Sequence, residues 1–138
     1  MVKTYNPREV IVTLGTHVVS GYADDSFITI EEKGDGVTSK TGCDGEVVRA
    51  VDPCEQYSVK IALLQYSATS AFLHTQYSKD KKTGDGSFPI LVKDLKGGFI
   101  FSADECWVTK QPSRTYGKTD NNREWTLETG AATMTENQ

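Results

Sequence analysis

Three cysteines and two histidines are the residues of this 138-residue chain that could carry redox or metal chemistry. No CxxC pair is present, and neither His17 nor His74 lies at a spacing typical of zinc ligands. Cys43 and Cys54 stand in polar, Gly- and Asp-rich surroundings, and with Cys106 they make an odd number. Three arrangements stay open: free thiols in a reducing compartment, an intrachain Cys43–Cys54 bridge, and a disulfide between chains.

Catalytic and metal-binding motifs are missing from the sequence. It contains no nucleophile elbow, phosphate-binding loop, dinucleotide fingerprint or zinc-protease helix. Gly34-Asp35-Gly36 and Gly84-Asp85-Gly86 resemble the start of calcium loops, but the carboxylates such loops need do not follow, which favours tight turns. Trp107, Trp125 and the tyrosines could stack on sugars or bases, although such side chains more often form a core or an interface. We therefore predict no enzyme, no metal and no cofactor.

Composition and charge narrow the class of protein. The net charge is −4 and the pI is about 5.1, which argues against a protein that grips nucleic-acid phosphates. No apolar run approaches the roughly 20 residues of a membrane-spanning helix. The segment Met1–Pro7 lacks the apolar stretch of a secretory signal, so we expect that the protein is made in a cytoplasm and either stays there or leaves by a route that needs no signal. The length predicts a single domain, residues 1–138, with its own core.

The stretch Gln56–Tyr77 is predicted to begin as a strand and to end as the chain's one helix. Val59, Ile61 and Leu63 alternate with more polar residues, which is the pattern of a strand with one apolar face. Ser67 or Thr69 then supplies an N-cap, and apolar residues follow at helical spacing. The cluster of Lys79, Lys81 and Lys82 suits the C-terminal end of the helix dipole.

Most other ordered segments are predicted to be short strands. They lie at Glu9–Leu14, His17–Tyr22, Phe27–Glu31, Phe88–Lys93, Phe99–Ser102, Cys106–Thr109 and Arg123–Glu128. Gly15 begins a hairpin turn, Lys79–Ser87 is predicted as a polar turn, and residues 133–138 as a frayed tail. The prediction is a mainly β protein, an antiparallel sandwich or half-barrel, whose helix covers an open end or one face.

Two polar features are candidate interaction surfaces. Residues 33–55 are too long for an ordinary hairpin loop and carry no catalytic set, which favours a protruding, partner-binding loop over a mobile surface loop. In the last strand, Trp125 and Leu127 share one face. The opposite face is wholly polar and consists of Glu124, Thr126 and Glu128.

In this order the segments resemble the tail tube proteins of contractile-tailed bacteriophages and related prophages. The resemblance is carried by Tyr5-Asn6-Pro7-Arg8-Glu9-Val10-Ile11-Val12-Thr13-Leu14-Gly15, Gly21-Tyr22-Ala23-Asp24-Asp25-Ser26-Phe27-Ile28, Asp44-Gly45-Glu46-Val47-Val48-Arg49, Leu91-Val92-Lys93-Asp94-Leu95, and Tyr116-Gly117 followed by Asn122-Arg123-Glu124-Trp125. Each motif is weak alone; their order and the total length give the resemblance its specificity.

The resemblance implies a structural virion protein. Such proteins form hexameric rings that stack into a hollow tube, with strands of each subunit forming a continuous barrel around the lumen. The tube lies inside a contractile sheath, meets baseplate and tail terminator proteins, and conducts double-stranded DNA without specific binding. It would be assembled in the host cytoplasm, become part of the virion, and contact no membrane. A loop reaching the neighbouring ring would be 33–55, with Asp44, Glu46, Val47, Val48 and Arg49 as its contact residues.

Two hypotheses follow from the resemblance. Glu124, Thr126 and Glu128 would line the lumen, because a basic lining would hold DNA by releasing counterions rather than let it pass; a face toward solvent or sheath is the alternative. The cysteines depart from the small or polar residues that the family has at such loop positions, and at least one of Cys43, Cys54 and Cys106, foremost Cys43 or Cys54, would form a disulfide between subunits once the particle leaves the reducing host. Other classes remain: a tube of a secretion or contractile-injection system, and a monomeric β-sandwich binding or decoration module.

Overall fold

The computed structural model describes residues 2–136 and contains ten strands and one α-helix within them. A 3-10 helix at Pro7–Glu9 precedes the first strand. The elements are β1 (Val10–Leu14), β2 (His17–Val18), β3 (Ile28–Glu32), β4 (Val37–Thr41), β5 (Val47–Val51), β6 (Tyr57–Leu63), α1 (Ala68–Thr83), β7 (Phe88–Asp94), β8 (Phe99–Lys110), β9 (Arg123–Thr129) and β10 (Ala132–Glu136).

Eight of the strands form one antiparallel sheet in the order β2-β1-β7-β8-β9-β6-β3, with β10 also paired to β8. β10 follows β9 along the same side of β8, since Thr129 pairs with Cys106 and Ala132 with Ala103. The segment 19–23 bonds to both margins of the sheet: the Val19 amide donates to Val12 (2.9 Å) and the Ala23 amide to Ala62 (3.0 Å). The sheet therefore curls into a half-barrel, and the predicted mainly β class with one helix is confirmed.

The inner face of the half-barrel is the core, and the alternation of the strands produces it. Val59, Ile61 and Leu63 of β6 are fully buried, as the period of two predicts. On the neighbouring β9, Trp125 and Leu127 are buried beside them. Each large apolar side chain removed from water in this way stabilises the fold by about 1.5–3 kcal/mol. One continuous cluster thus joins the strands and leaves their other faces to solvent.

The helix begins where the sequence predicts and ends later. Of the two predicted caps, Ser67 is the N-cap and its Oγ accepts from the Thr69 amide at 3.2 Å. The predicted polar turn at Lys79–Ser87 is wrong in its first part, because the helix continues to Thr83. Lysine and aspartate are compatible with a helix interior, and only Gly84, in the left-handed conformation (φ +77°), ends it.

The helix covers the core at one end of the half-barrel. Leu73 is fully buried, and the Phe72 ring stacks on His17 with centroids 4.8 Å apart. The Trp125 Nε1 donates to Ser70 Oγ at 3.2 Å, so the polar atom of the largest core side chain is satisfied by the helix. Beside the cap, Gly21 has φ +71°, and a Cβ there would lie 2.7 Å from Ser67 Oγ.

Several predicted boundaries require correction. Residues 33–55 are not an irregular loop, because β4 and β5 form a hairpin within them. The frayed tail predicted for residues 133–138 is wrong up to Glu136: Ala132 and Met134 face the core side of β8 and their strand pairs along its length. Residues 137 and 138 lie outside the described part. Cys106–Thr109 continues the strand that begins at Phe99, and the strand at His17 stops at Val18.

Candidate functional site: assembly surfaces

The β4–β5 hairpin projects from the half-barrel with every strand residue exposed. Its register runs from the pair Val37–Val51 to the pair Thr41–Val47. Four of its valines, Val37, Val47, Val48 and Val51, are between 56% and 70% exposed. An isolated two-stranded hairpin is marginally stable in water, and its exposed valines offer apolar surface that a second protein could bury. The hairpin is therefore a candidate interaction arm.

The tip of the hairpin is a tight, acidic turn. The Gly42 amide donates to the Glu46 carbonyl at 2.8 Å, and Gly45 has φ +91°. Asp44 Oδ1 accepts from the Glu46 amide at 3.2 Å, so Asp44 holds the turn together. The Glu46 carboxylate has no hydrogen-bond or ion-pair partner among the described residues. The predicted contact residues Asp44, Glu46, Val47, Val48 and Arg49 thus all lie at the tip or in the strand that leaves it.

The base of the hairpin is fixed by Asp52. Its carboxylate accepts from the Asp35 amide at 2.8 Å and from the Cys54 amide at 3.0 Å, which joins the two arms. These backbone hydrogen bonds lower the pKa of Asp52 below its usual 3.8. A second tie is the ion pair between Lys33 and Glu128. Gly34-Asp35-Gly36, which resembles the start of a calcium loop, is part of this hairpin base. Among residues 2–136 no cluster of metal-ligating side chains occurs.

The outward face of β9 continues across neighbouring strands as a polar surface. Glu124 is exposed, while Thr126 and Glu128 are half-buried. Across the ladder Glu124 lies opposite Ala62, Thr126 opposite Lys60, and Glu128 opposite Ser58. Trp107 of β8 faces Glu128 from the other side. The three predicted residues thus share one face with hydroxyl and charged neighbours, and the pairing with Lys33 partly neutralises Glu128.

In the large sheet the two-residue β2 has an open edge, and so do two longer strands, β3 and β10. Each strand is paired on one side only, and free amide and carbonyl groups at such an edge can pair with a strand of another chain. A groove of about 1000 Å³ has residues of β3 and β10 in its lining. Ile28, Ile30, Phe99 and Met134 contribute apolar surface to it, and Asp24, Asp25, Asp94 and Glu136 contribute acidic groups.

The three cysteines are free thiols in very different environments. Cys43 is exposed at the hairpin tip, and Cys54 is half-buried at the base. The five paired residues between them span about 16 Å, far beyond the roughly 7 Å Cα separation that a disulfide tolerates, so the intrachain Cys43–Cys54 bridge is excluded. Cys106 is fully buried, and burial raises the pKa of its thiol to about 12. Of the three candidates for a bond between subunits, the folded chain therefore leaves Cys43 and Cys54 accessible and Cys106 enclosed.

The remaining chemistry-bearing residues have structural environments. His17 Nε2 lies 2.9 Å from Thr69 Oγ1, which also accepts from the Ser20 amide at 3.0 Å. His74 is exposed on the helix. Arg123 was not predicted as a site residue, although its parity with Trp125 and Leu127 places it on the inner face; it is 7% exposed. That alternation was the available signal.

The comparisons with known proteins agree with this architecture. A family model described as "Bacteriophage PhiTE tail tube protein" matches residues 9–135. The chain is 25% identical over 133 residues to structural protein ORF10 of Pseudomonas phage KPP10, covering 90% of this chain and 76% of the relative.

Solved structures share the fold at low identity. The PVC extracellular contractile injection system offers two: a chain of the sheath/tube terminator in the extended state and a chain of the sheath-tube complex. The first has a TM-score of 0.65 at 11% identity, covering 97% of this chain and 98% of that one. The second has a TM-score of 0.63 at 10% identity, covering 97% and 93%.

The fold and the extent of the family match define the class: a structural subunit of a tail tube. The chain belongs to the family of the bacteriophage PhiTE tail tube protein, and the predicted resemblance is confirmed.

Proposed function

We propose that this chain forms hexameric rings that stack into the tube of a contractile phage tail and conduct double-stranded DNA during ejection. The observation that carries the proposal is the combination of one closed core face, one polar strand face and the open edges of β3 and β10 on the same subunit. Pairing of β3 or β10 with neighbouring subunits would remove the edges that otherwise invite uncontrolled association. The projecting hairpin supplies a contact to the next ring.

The polar face of β9 is proposed to line the lumen. Glu124 is its most exposed acidic residue, and Thr126 and Glu128 continue the same face. Carboxylates repel phosphates, and an uncharged hydroxyl releases no counterions, so these three residues offset Lys60 on the same face and favour passage of DNA, whereas further lysines in their place would strengthen DNA binding. The Glu124→Lys variant is the sharper test, because Glu128→Lys would also break the pair with Lys33 and disturb the hairpin. Glu124→Lys is expected to leave tubes intact and slow DNA ejection; an unchanged ejection rate argues against the lumen position.

The partners and location follow from the same proposal. A sheath protein surrounds the tube, and terminator and baseplate proteins close its ends. The subunit is made and assembled in the host cytoplasm and becomes part of the virion. Its role is structural rather than catalytic. Among residues 2–136 no helix is long and apolar enough to cross a membrane.

A disulfide between subunits is proposed at Cys43. Cys43 is the exposed thiol at the tip of the β4–β5 hairpin, where we expect the hairpin to contact a neighbouring subunit. The bond would join Cys43 to Cys43 or Cys54 of a neighbouring subunit after lysis, when the particle leaves the reducing cytoplasm and dissolved oxygen accepts the two electrons while two protons are released, and it would stiffen the tube. Non-reducing electrophoresis of purified particles should show covalent oligomers that disappear in a Cys43→Ser variant; monomer alone in the native particle contradicts it.

The assembly itself is tested by sedimentation and negative-stain electron microscopy of the concentrated protein. Pelletable hollow tubes of uniform diameter with six-subunit end views support the proposal. A protein that stays monomeric even when seeded with tail extract favours a monomeric binding or decoration module. The structural likeness to contractile injection system chains makes the tube of such a system the second candidate. The tube of an injection system carries a different cargo from that of a phage tail, so DNA retained in isolated particles would distinguish a phage tail tube from it.

A further inference from the structure

Arg123 is a buried cation that the described part of the chain leaves without a carboxylate. The residue is 7% exposed, and its Nε is buried with no hydrogen-bond partner. Its Nη2 donates to the Tyr116 hydroxyl at 3.3 Å, and the Tyr116 ring lies 5.6 Å from the guanidinium carbon. The ion pairs found within residues 2–136 involve other residues. A guanidinium removed from water is costly unless it is paired, so the site is incomplete in the single chain.

The cover over Arg123 is an irregular segment. Residues 111–122 have neither helix nor strand. Asn121 fastens one end, because its amide donates to Gln65 Oε1 at 2.9 Å and its side chain donates to the Thr115 carbonyl at 3.1 Å. Tyr116 itself is 71% exposed. Binding of a carboxylate at the guanidinium would require this exposed side chain, which contacts Nη2 and lies beside the guanidinium carbon, to move aside.

The hairpin and Arg123 lie at opposite ends of the same strand. Arg123 pairs with Leu63 at the C-terminal end of β6. The hairpin joins the sheet at the N-terminal end of β6, where the Lys33 amide donates to the carbonyl of Gln56, the residue before Tyr57. The two ends are about 20 Å apart. A contact between hairpin of one copy and Arg123 of the next is therefore head-to-tail, the type of contact that builds open stacks rather than closed dimers.

The charges of the two ends are complementary. The tip turn, residues 41–47, carries two acidic residues, Asp44 and Glu46, and no basic one, while Lys40 and Arg49 lie on the strands behind it. The segment 110–123 carries Lys110, Arg114, Lys118 and Arg123 against the single acidic residue Asp120. Asp44 is occupied in holding the tip turn, whereas the Glu46 carboxylate is unpartnered in the described chain. Glu46 is thus the carboxylate available to a second copy.

We propose that Arg123 receives the Glu46 carboxylate of a second copy of this chain, and that this ion pair sets the register between stacked subunits. A carboxylate bound along the guanidinium edge would use the unpartnered Nε, in the paired geometry that arginine favours. This inference rests on the proposed stacking into a tube and adds the residue pair that specifies it.

A double-mutant cycle in the intact protein tests the pair. The readout is the critical concentration for polymer formation, measured by sedimentation for wild type, Glu46→Gln, Arg123→Gln and the double variant. Each single variant is expected to raise it about tenfold, since an interfacial hydrogen-bonded charge pair is lost. The critical concentration of the double variant should be no higher than that of the more impaired single variant, because both changes remove the same interaction. Glu105→Gln, an exposed glutamate of β8, is the matched control and should behave as wild type.

A zero-length cross-link gives a second measurement that does not need Arg123→Gln to fold. In assembled Arg123→Lys polymer, a carbodiimide should join the carboxylate of Glu46 to the amine at position 123 of another chain, and mass spectrometry identifies the linked peptides. The Glu46–Arg123 contact would be overturned if the effects of the two single variants on the critical concentration add up in the double variant. It would also be overturned if normal polymers of Arg123→Lys give no cross-linked peptide. Either result would leave the tube function intact. Failure of wild-type protein to polymerise when seeded would remove the proposed function and this inference together.

Discussion

Thr69 is the buried hydroxyl that joins the helix to the segment after β2, and its removal should destabilise the whole fold. The residue is fully buried. Its Oγ1 accepts from the Ser20 amide at 3.0 Å and lies 2.9 Å from His17 Nε2. Valine has nearly the same shape, so Thr69→Val removes the hydroxyl without opening a cavity. The Ser20 amide and the His17 nitrogen then lose a partner in a site closed by the helix.

The expected destabilisation is about 1–3 kcal/mol, the usual penalty for leaving a buried polar group without its hydrogen bond. For a domain of this size the melting temperature should fall by roughly 4–10 °C. Urea and thermal unfolding followed by tryptophan fluorescence, below the polymerisation concentration, measure both. Trp125 reports directly, because its indole donates to Ser70 on the same helix.

Thr75→Val is the matched control for that measurement. Thr75 is exposed on the helix, and its hydroxyl donates to the Ala71 carbonyl at 2.9 Å, a carbonyl that the helix already uses. Its replacement should change the free energy of unfolding by less than about 0.5 kcal/mol. Equal effects of Thr69→Val and Thr75→Val would refute the claim that this hydroxyl secures the helix to the half-barrel.

Three further predictions concern the hairpin, the thiols and the helix cap. Protonation of Asp52, whose pKa is lowered, should loosen the hairpin base only as the pH falls below about 4. In Asp52→Asn the amides of Asp35 and Cys54 should exchange hydrogen faster than in wild type at neutral pH, and equal exchange rates in the two proteins would contradict the role of Asp52 at the hairpin base. A maleimide at pH 8 should label Cys43 in the native monomer but reach Cys106, with its pKa near 12, only after unfolding; mass spectrometry of both peptides decides. Gly21→Ala should cost about 2–3 kcal/mol in unfolding free energy, because its Cβ meets the capping serine at positive φ, whereas Gly36→Ala, with φ +69° and open space, should cost about 1 kcal/mol; similar costs would exclude the clash.

The alternation of apolar residues predicted most of the core because burial follows the pleat. Val59, Ile61 and Leu63 were placed inside by parity alone, and the structure buries all three. The order of the strands in the sheet could not be predicted from the sequence. The pairing between β8 and β10, for example, joins segments about thirty residues apart, and no local pattern encodes it. The C-terminal strand was missed for this reason: its threonines and alanine are weakly apolar, and only the partner strand orders them.

The candidate surfaces show the same division between local and long-range information. The polar parity of Glu124, Thr126 and Glu128 is local, and the structure keeps them on one face. The tie between Lys33 and Glu128 joins residues far apart in the chain and was not predictable. The hairpin was mistaken for a loop because its strands lack a buried face, so the alternation that identifies a strand is absent from them.

A helical reconstruction of the assembled polymer by cryo-electron microscopy would show whether this chain builds a tube and which strand face lines it. We expect stacked six-subunit rings around an open channel lined by Glu124, Thr126 and Glu128, with the helix on the outer side of the wall. Rings without a channel, or a channel lined by the helix with the polar face of β9 turned outward, would contradict it.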